Sequence, residues 1–319
     1  MSNNPTALVT GATSGIGFEA AAQLAEQGYE PVIITARSDE KARAARDALT
    51  ERTGKDVFET LTLDLGEQAT VAAAARTLAD EDAAIDLLLL NAGLAPAKDV
   101  VKTSDGLEAT FASSLIGHHL LAMRLLEGGA LSANAHIVIA GSEAARGDVP
   151  TFKPLDIDGF AAENFGGDLE AAIENQMRME EPATYKPGDT YATAKLFVAW
   201  WAAELADRLP EGMTVNAVSP GSTPDTNATR SAPFFMRNIM LPFFKVMPGM
   251  SHSVADGASR YLEVATYGPG VNGEFFASKP KKMTGPIEAM HYDHLDNSEA
   301  QKALWNVTTK VAGGVGYPA

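Results

Sequence analysis

The chain has 319 residues, 45% of them hydrophobic and 21% charged, a balance ordinary for a soluble globular protein with a large core. A formal charge of −16 argues against a nucleic-acid or anionic-membrane binder. The lack of cysteine excludes disulfides, thiolate nucleophiles and cysteine-based metal sites. No leader pattern opens the chain and no apolar run reaches the ~18 residues of a membrane span, so a cytoplasmic protein with no transmembrane segment is expected.

Apolar, β-rich runs alternate with alanine-rich helical stretches along the chain. Strands are predicted at Ala7–Thr10, Val32–Ala36, Val57–Asp64, Asp86–Asn91, His136–Ala140 and Met213–Val218. Helices are predicted at Gly15–Gln27, Ser38–Arg52 and Ala69–Asp80. Such alternation implies a doubly wound α/β fold around a parallel sheet, Rossmann-like, with no linker that splits residues 1–319 into separate domains.

Two stretches depart from the alternation. Glu143–Thr190 is acidic and punctuated by Gly and Pro, with a helical segment near Leu169–Glu180; it reads as an insertion that acts as a mobile lid with little apolar area to hold it down. Pro233–Met250 is rich in Phe and Met, and its prolines forbid one continuous helix. It reads either as helices packed on the core or as a cover over an apolar substrate.

The first strand runs into Thr10-Gly11-Ala12-Thr13-Ser14-Gly15-Ile16-Gly17 and then a helix. Glycines in that position let backbone approach a pyrophosphate, and a helix N-terminus offers free N–H groups. The spacing is not G-x-G-x-x-G. After the second strand comes Arg37 rather than an acidic residue, which suits the 2′-phosphate of NADP(H). Further on, Tyr191 and Lys195 stand four apart in YATAKLFVAWWAAELADRL, read as an amphipathic helix, so the ammonium can lower the pKa of the phenol. His291-Tyr292-Asp293-His294 lacks a helix period and a third partner, so no metal site is expected there. His118 and His119 read as packed, hydrogen-bonded histidines.

Together these motifs resemble the short-chain dehydrogenase/reductase family, in its compact, retinol-dehydrogenase-like branch. The matching residues are the glycine turn, Asp64-Leu65, Asn91-Ala92-Gly93, Ser142, Tyr191-x-x-x-Lys195, Pro220-Gly221 with Thr223, and the late segments Asn272–Phe276, which looks like the last strand, and Ala303-Leu304-Trp305. The resemblance implies an NADP(H)-dependent carbonyl reductase or alcohol dehydrogenase acting on a small molecule and leaves room for a homo-oligomer; the Phe- and Met-rich Pro233–Met250 stretch points to a fairly large apolar ketone or aldehyde as the substrate. Tyr191 is then the proton donor, Lys195 lowers its pKa and binds the nicotinamide ribose, and Ser142 holds the substrate oxygen. The cofactor would be bound by Gly11, Thr13, Ser14, Gly15, Ile16, Gly17 and Arg37, by Asp64 at the adenine amine, by the backbone of Leu65, by Asn91 and Gly93 at the adenosine ribose, and by Ala92, Pro220, Gly221 and Thr223. Where the family has a catalytic Asn, alignment places Ser114. A nonenzymatic NADP-sensing or scaffold protein and an epimerase or dehydratase are the rival readings; the retained Tyr and Lys speak against the first and the glycine spacing against the second.

Overall fold

The structure is a computed structural model that describes residues 4–94, 96–223 and 251–316. The Pro233–Met250 stretch therefore lies outside the described residues. Among those described, eight strands form one sheet in the order β3-β2-β1-β4-β5-β6-β7-β8. They are β1 (Thr6–Val9), β2 (Val32–Ala36), β3 (Phe58–Thr62), β4 (Ile85–Leu90), β5 (Leu131–Ala140), β6 (Thr214–Val218), β7 (Phe275–Ser278) and β8 (Ile287–Ala289). All pairings are parallel except the antiparallel β7–β8 pair. Asn272–Phe276 therefore does not hold the last strand: β7 starts only at Phe275, and β8 follows it as the edge.

Helices α1 (Gly15–Glu26), α2 (Asp39–Thr53) and α3 (Gln68–Asp80) follow the first three strands. Next come α4 (Ala109–Phe111), a π-helical turn (Ala112–Ile116) and α5 (Gly117–Glu127), which run on without a break. The chain continues through a 3₁₀ turn (Glu143–Arg146), α6 (Ile157–Asn164), α7 (Leu169–Arg178), α8 (Pro187–Ala206), α9 (Val254–Ala265) and α10 (Ser298–Val311). The sheet divides the apolar interior into two clusters, as expected for a parallel sheet covered on both faces. No helix among the described residues is long and apolar enough to cross a membrane.

Helix α8 corrects the amphipathic reading. Phe197, Val198, Trp200, Trp201 and Leu205 are all buried, so the helix is covered nearly all round by β6 on one side and α10 on the other. The Trp200 indole donates to the His294 carbonyl at 2.8 Å and the Trp201 indole to His119 Nδ1 at 3.0 Å, which satisfies both buried N–H groups.

The 143–190 segment also differs from its reading. Ile157, Ala161, Ala172, Ile173 and Met177 are buried within the same cluster as the sheet face. Polar ties reinforce them: Lys310 to Glu174 at 2.6 Å, Asn306 to Glu170 and Asn297 to Asp158 at 2.8 Å. Helices α6 and α7 thus form a layer on α10, anchored by apolar area that the acidic composition hides.

Candidate active site

The strand order reverses between β1 and β4, where a doubly wound sheet opens a crevice beyond the carboxyl ends of its strands. The glycine turn lies there. Gly11 has φ +69°, and a Cβ on Gly17 would sit 2.3 Å from Asn91 Nδ2 and 2.6 Å from the Gly11 oxygen, so only glycine lets α1 start this close to the turn. Ser14 caps α1 without a side-chain hydrogen bond, and both Thr13 and Ser14 are exposed. The Asn91 amide donates to the Thr10 carbonyl at 2.9 Å, and the Ala92 N–H donates to Thr10 Oγ1 at 3.0 Å. Asn91 is therefore a brace between β1 and β4.

Other residues expected at the cofactor stand past the carboxyl ends of β2, β3 and β6. Arg37 is exposed just past β2, and its guanidinium makes no ion pair among the described residues. One Asp64 carboxylate oxygen accepts from Gly66 N at 2.9 Å. Leu65 is buried against Gly117. Gly221 has φ +78°, and a Cβ there would fall 2.5 Å from His252 Nε2. Pro220 is held by His252, whose Nε2–H donates to its carbonyl at 2.7 Å. Thr223 is buried beside Gly257.

The chemistry-bearing side chains meet at the end of β5. Ser142 stands beside Tyr191 and favours the ionised form of its phenol. Lys195, one helical turn beyond Tyr191, donates through Nζ to the Ala140 carbonyl at 2.7 Å and lies 5.8 Å from the centre of the Tyr191 ring. Burial pulls the Lys195 ammonium down to about 8, and burial also pushes the Tyr191 phenol up, against the influence of Ser142 and with the Glu143 charge. The expected lowering of the phenol by Lys195 is thus not the net effect in the free protein. The ammonium's contact is with the Ala140 carbonyl, while desolvation acts on the phenol. Phe152 flanks the phenol, its ring centre 5.8 Å from that of Tyr191.

Ser114 is brought to the same place. It is buried within the π turn, and a Cβ on Gly93 would be 3.2 Å from its Oγ and 3.8 Å from Lys195 Nζ. Its Oγ has no hydrogen-bond partner among the described residues. Its carbonyl is occupied by His118, and the bonds fix the tautomer: Nδ1–H donates to the Ser114 carbonyl at 3.2 Å, so Nε2 accepts from Thr10 Oγ1 at 3.0 Å. Burial pulls His118 down to about 3, so the ring stays neutral. His119 is likewise packed, its Nε2–H donating to the Val315 carbonyl at 2.6 Å. His294 donates to the Ala145 carbonyl at 2.9 Å, whereas His291 lies exposed near Glu274.

A buried cluster beside Ser142 has no counterpart in the sequence reading. Glu143, Ser219, Ser278 and Arg260 come from the 3₁₀ turn, the ends of β6 and β7, and α9. Glu143 and Arg260 are 117 positions apart, and no short-range pattern links them.

Crevice, glycine turn and Ser–Tyr–Lys grouping define a class: a dinucleotide-fold oxidoreductase. Comparison with known proteins agrees. Residues 5–154 match the family model described as short chain dehydrogenase. Retinol dehydrogenase 13 of Mus musculus is 28% identical over 97% of this chain and 84% of its own length. The WW domain-containing oxidoreductase of Danio rerio is 30% identical over 95% of this chain and 67% of its own length. A short chain dehydrogenase from Burkholderia cenocepacia solved in complex with NADP is 25% identical, with a TM-score of 0.61 over 85% of this chain and 94% of that one. An actinorhodin polyketide ketoreductase solved with NADPH is 19% identical, with a TM-score of 0.62 over 86% of this chain and 95% of that one, a likeness of fold. The chain belongs to the short chain dehydrogenase family.

Proposed function

We propose that the protein is an NADP(H)-dependent oxidoreductase that interconverts a carbonyl compound and its alcohol. The observation that carries this reading is the Tyr191 phenol beside Ser142, with Lys195 one helical turn away. NADP(H) fits the site: the glycine turn leaves room for a pyrophosphate at the N-terminus of α1, and the exposed Arg37 can pair with a 2′-phosphate. The NADP and NADPH bound to the related structures support the same cofactor. When bound, it supplies the hydride.

The chain's own residues handle the proton and the oxygen. Ser142 donates to the substrate oxygen and stabilises charge as it builds. Tyr191 gives its proton to that oxygen in reduction and removes it in oxidation. Lys195 holds the end of β5 through Ala140 and is the cation nearest the phenol on its own helix. Ser114, whose hydroxyl has no partner among the described residues and which meets Lys195 across Gly93, is the candidate link for proton resupply. Phe152, beside Tyr191, and the exposed Leu94, Val100 and Val101 support an apolar ketone or aldehyde as substrate. The test is oxidation of NADPH against a broad panel of carbonyl compounds; no turnover with any of them refutes the reading.

A further inference from the structure

The residue after Ser142 is a glutamate, and its side chain is buried. One Glu143 oxygen, Oε1, accepts from Arg260 Nη1 at 3.2 Å and from Ser278 Oγ at 3.0 Å. The other, Oε2, accepts a short hydrogen bond from Ser219 Oγ. Ser219 Oγ in turn accepts from Glu143 N at 3.2 Å and from Gly221 N at 3.1 Å. Arg260 also donates to the Ser219 carbonyl at 3.0 Å, to Ser278 Oγ at 2.8 Å and to the Gly285 carbonyl at 2.7 Å. Side-chain exposure is 5% for Arg260 and 2% for Glu143, so water does not screen the pair.

A buried carboxylate and guanidinium are a costly way to join strand ends that apolar side chains could join. Their placement gives a reason. Through Glu143 the network reaches the backbone one residue past Ser142. Through Ser219 it reaches Gly221, on the turn expected to meet the cofactor. We propose that the Glu143–Arg260 pair is a positioning pair for the reaction: it locks the Ser142 end of β5 to the Ser219–Gly221 turn and sets the electric field at Tyr191. The proposal rests on the reading of Tyr191 as proton donor.

The charged and titratable groups around the phenol come from several elements. Lys195 lies on its own helix, Glu143 on the 3₁₀ turn and Tyr261 on α9, while Arg260 on α9 and His252 just before it face Glu143. Of these, Glu143 opposes phenolate formation by its charge. Exchanging it for an isosteric neutral group leaves Arg260 unbalanced, and both changes favour phenolate.

Ultraviolet titration of tyrosinate on the free protein tests this, with the Tyr191→Phe trace subtracted so that one phenol is read. Glu143→Gln is expected to lower the Tyr191 midpoint, raising its ionisation constant on the order of tenfold, a one-unit shift. Glu143→Asp, which keeps the charge, is expected to restore most of the original midpoint. If Glu143→Gln does not fold, Arg260→Gln carries the test with the opposite sign, because the carboxylate is then left unbalanced and the midpoint must rise. A purely structural role would leave the midpoint in place, or move it the same way in both variants, and either result overturns the proposal. The titration needs no substrate. A protein that ionises as expected yet reduces no carbonyl refutes the functional reading; one that turns over without these shifts refutes the positioning pair.

Discussion

The Lys195 ammonium donates to the Ala140 carbonyl at 2.7 Å, and so the helix that carries Tyr191 and the strand beside it are joined by a group whose charge is weakly held. With the ammonium pulled down to about 8 from its ordinary 10.5, the lysine is charged below that pH and neutral above it. NADPH binding that uses this charge should weaken as pH rises through about 8. Dissociation constants measured by nucleotide fluorescence across that range should show the decline in the unaltered protein, and a flat, weaker profile in Lys195→Met. A flat profile in both removes Lys195 from cofactor binding.

Tyr191→Phe keeps the ring beside Phe152 and removes only the hydroxyl. Turnover should fall by at least ~10²-fold, a usual size for general acid catalysis. The NADPH dissociation constant should not change. Steady-state rates and binding on the same preparation check both halves.

Arg37 should set cofactor choice. A charge-assisted hydrogen bond contributes about 1.5–3 kcal/mol, so NADPH should be preferred over NADH roughly 10–150-fold. Arg37→Ala should erase most of that preference without altering stability, since the side chain is exposed. Equal affinities in the unaltered protein would remove the assignment.

Helices α6 and α7 should exchange their amide hydrogens slowly in the free protein. Ala172, Ile173 and Met177 are fully buried against the main cluster, so opening this layer exposes core. Hydrogen exchange read peptide by peptide should give residues 157–178 protection comparable to α10. Fast exchange there would restore the mobile-cover reading.

His118 and His119 should make the fold sensitive to mild acid. Burial lowers them to about 3 and about 4 from the ordinary 6.5, so between those values the unfolded chain binds more protons and stability falls as pH falls. Between pH 6.5 and 5 the loss should be about 2 kcal/mol for each ring, at ~1.36 kcal/mol per unit. Urea midpoints at pH 7 and 5 measure it. His118→Asn should lower stability at pH 7 yet flatten the dependence on pH.

What the sequence revealed divides along physical lines. Val32–Ala36 was placed to the residue because an apolar run between turn signals marks a covered strand. The glycine turn and the Tyr191–Lys195 spacing were legible because each is a local geometric demand. In the sequence Glu143 stands only as the first of an acidic stretch, since its partner is supplied by α9 far along the chain. The anchoring of α7 is hidden in the sequence for a similar reason. Its apolar stripe of Ala172, Ile173 and Met177 is short, and the glutamates around it dominated the composition. The direction of the Tyr191 shift was also out of reach, because spacing fixes a neighbour but burial decides how the phenol responds to it.

The sheet ends at β8, a three-residue strand with exposed Glu288 at its centre, and at β3, where Glu59 is exposed. An edge strand left long and apolar invites another chain to add to it, whereas shortness and charge discourage that addition. Two copies brought together edge to edge would set like charges side by side over very few backbone bonds. The molecule is thereby guarded against runaway self-association through its sheet.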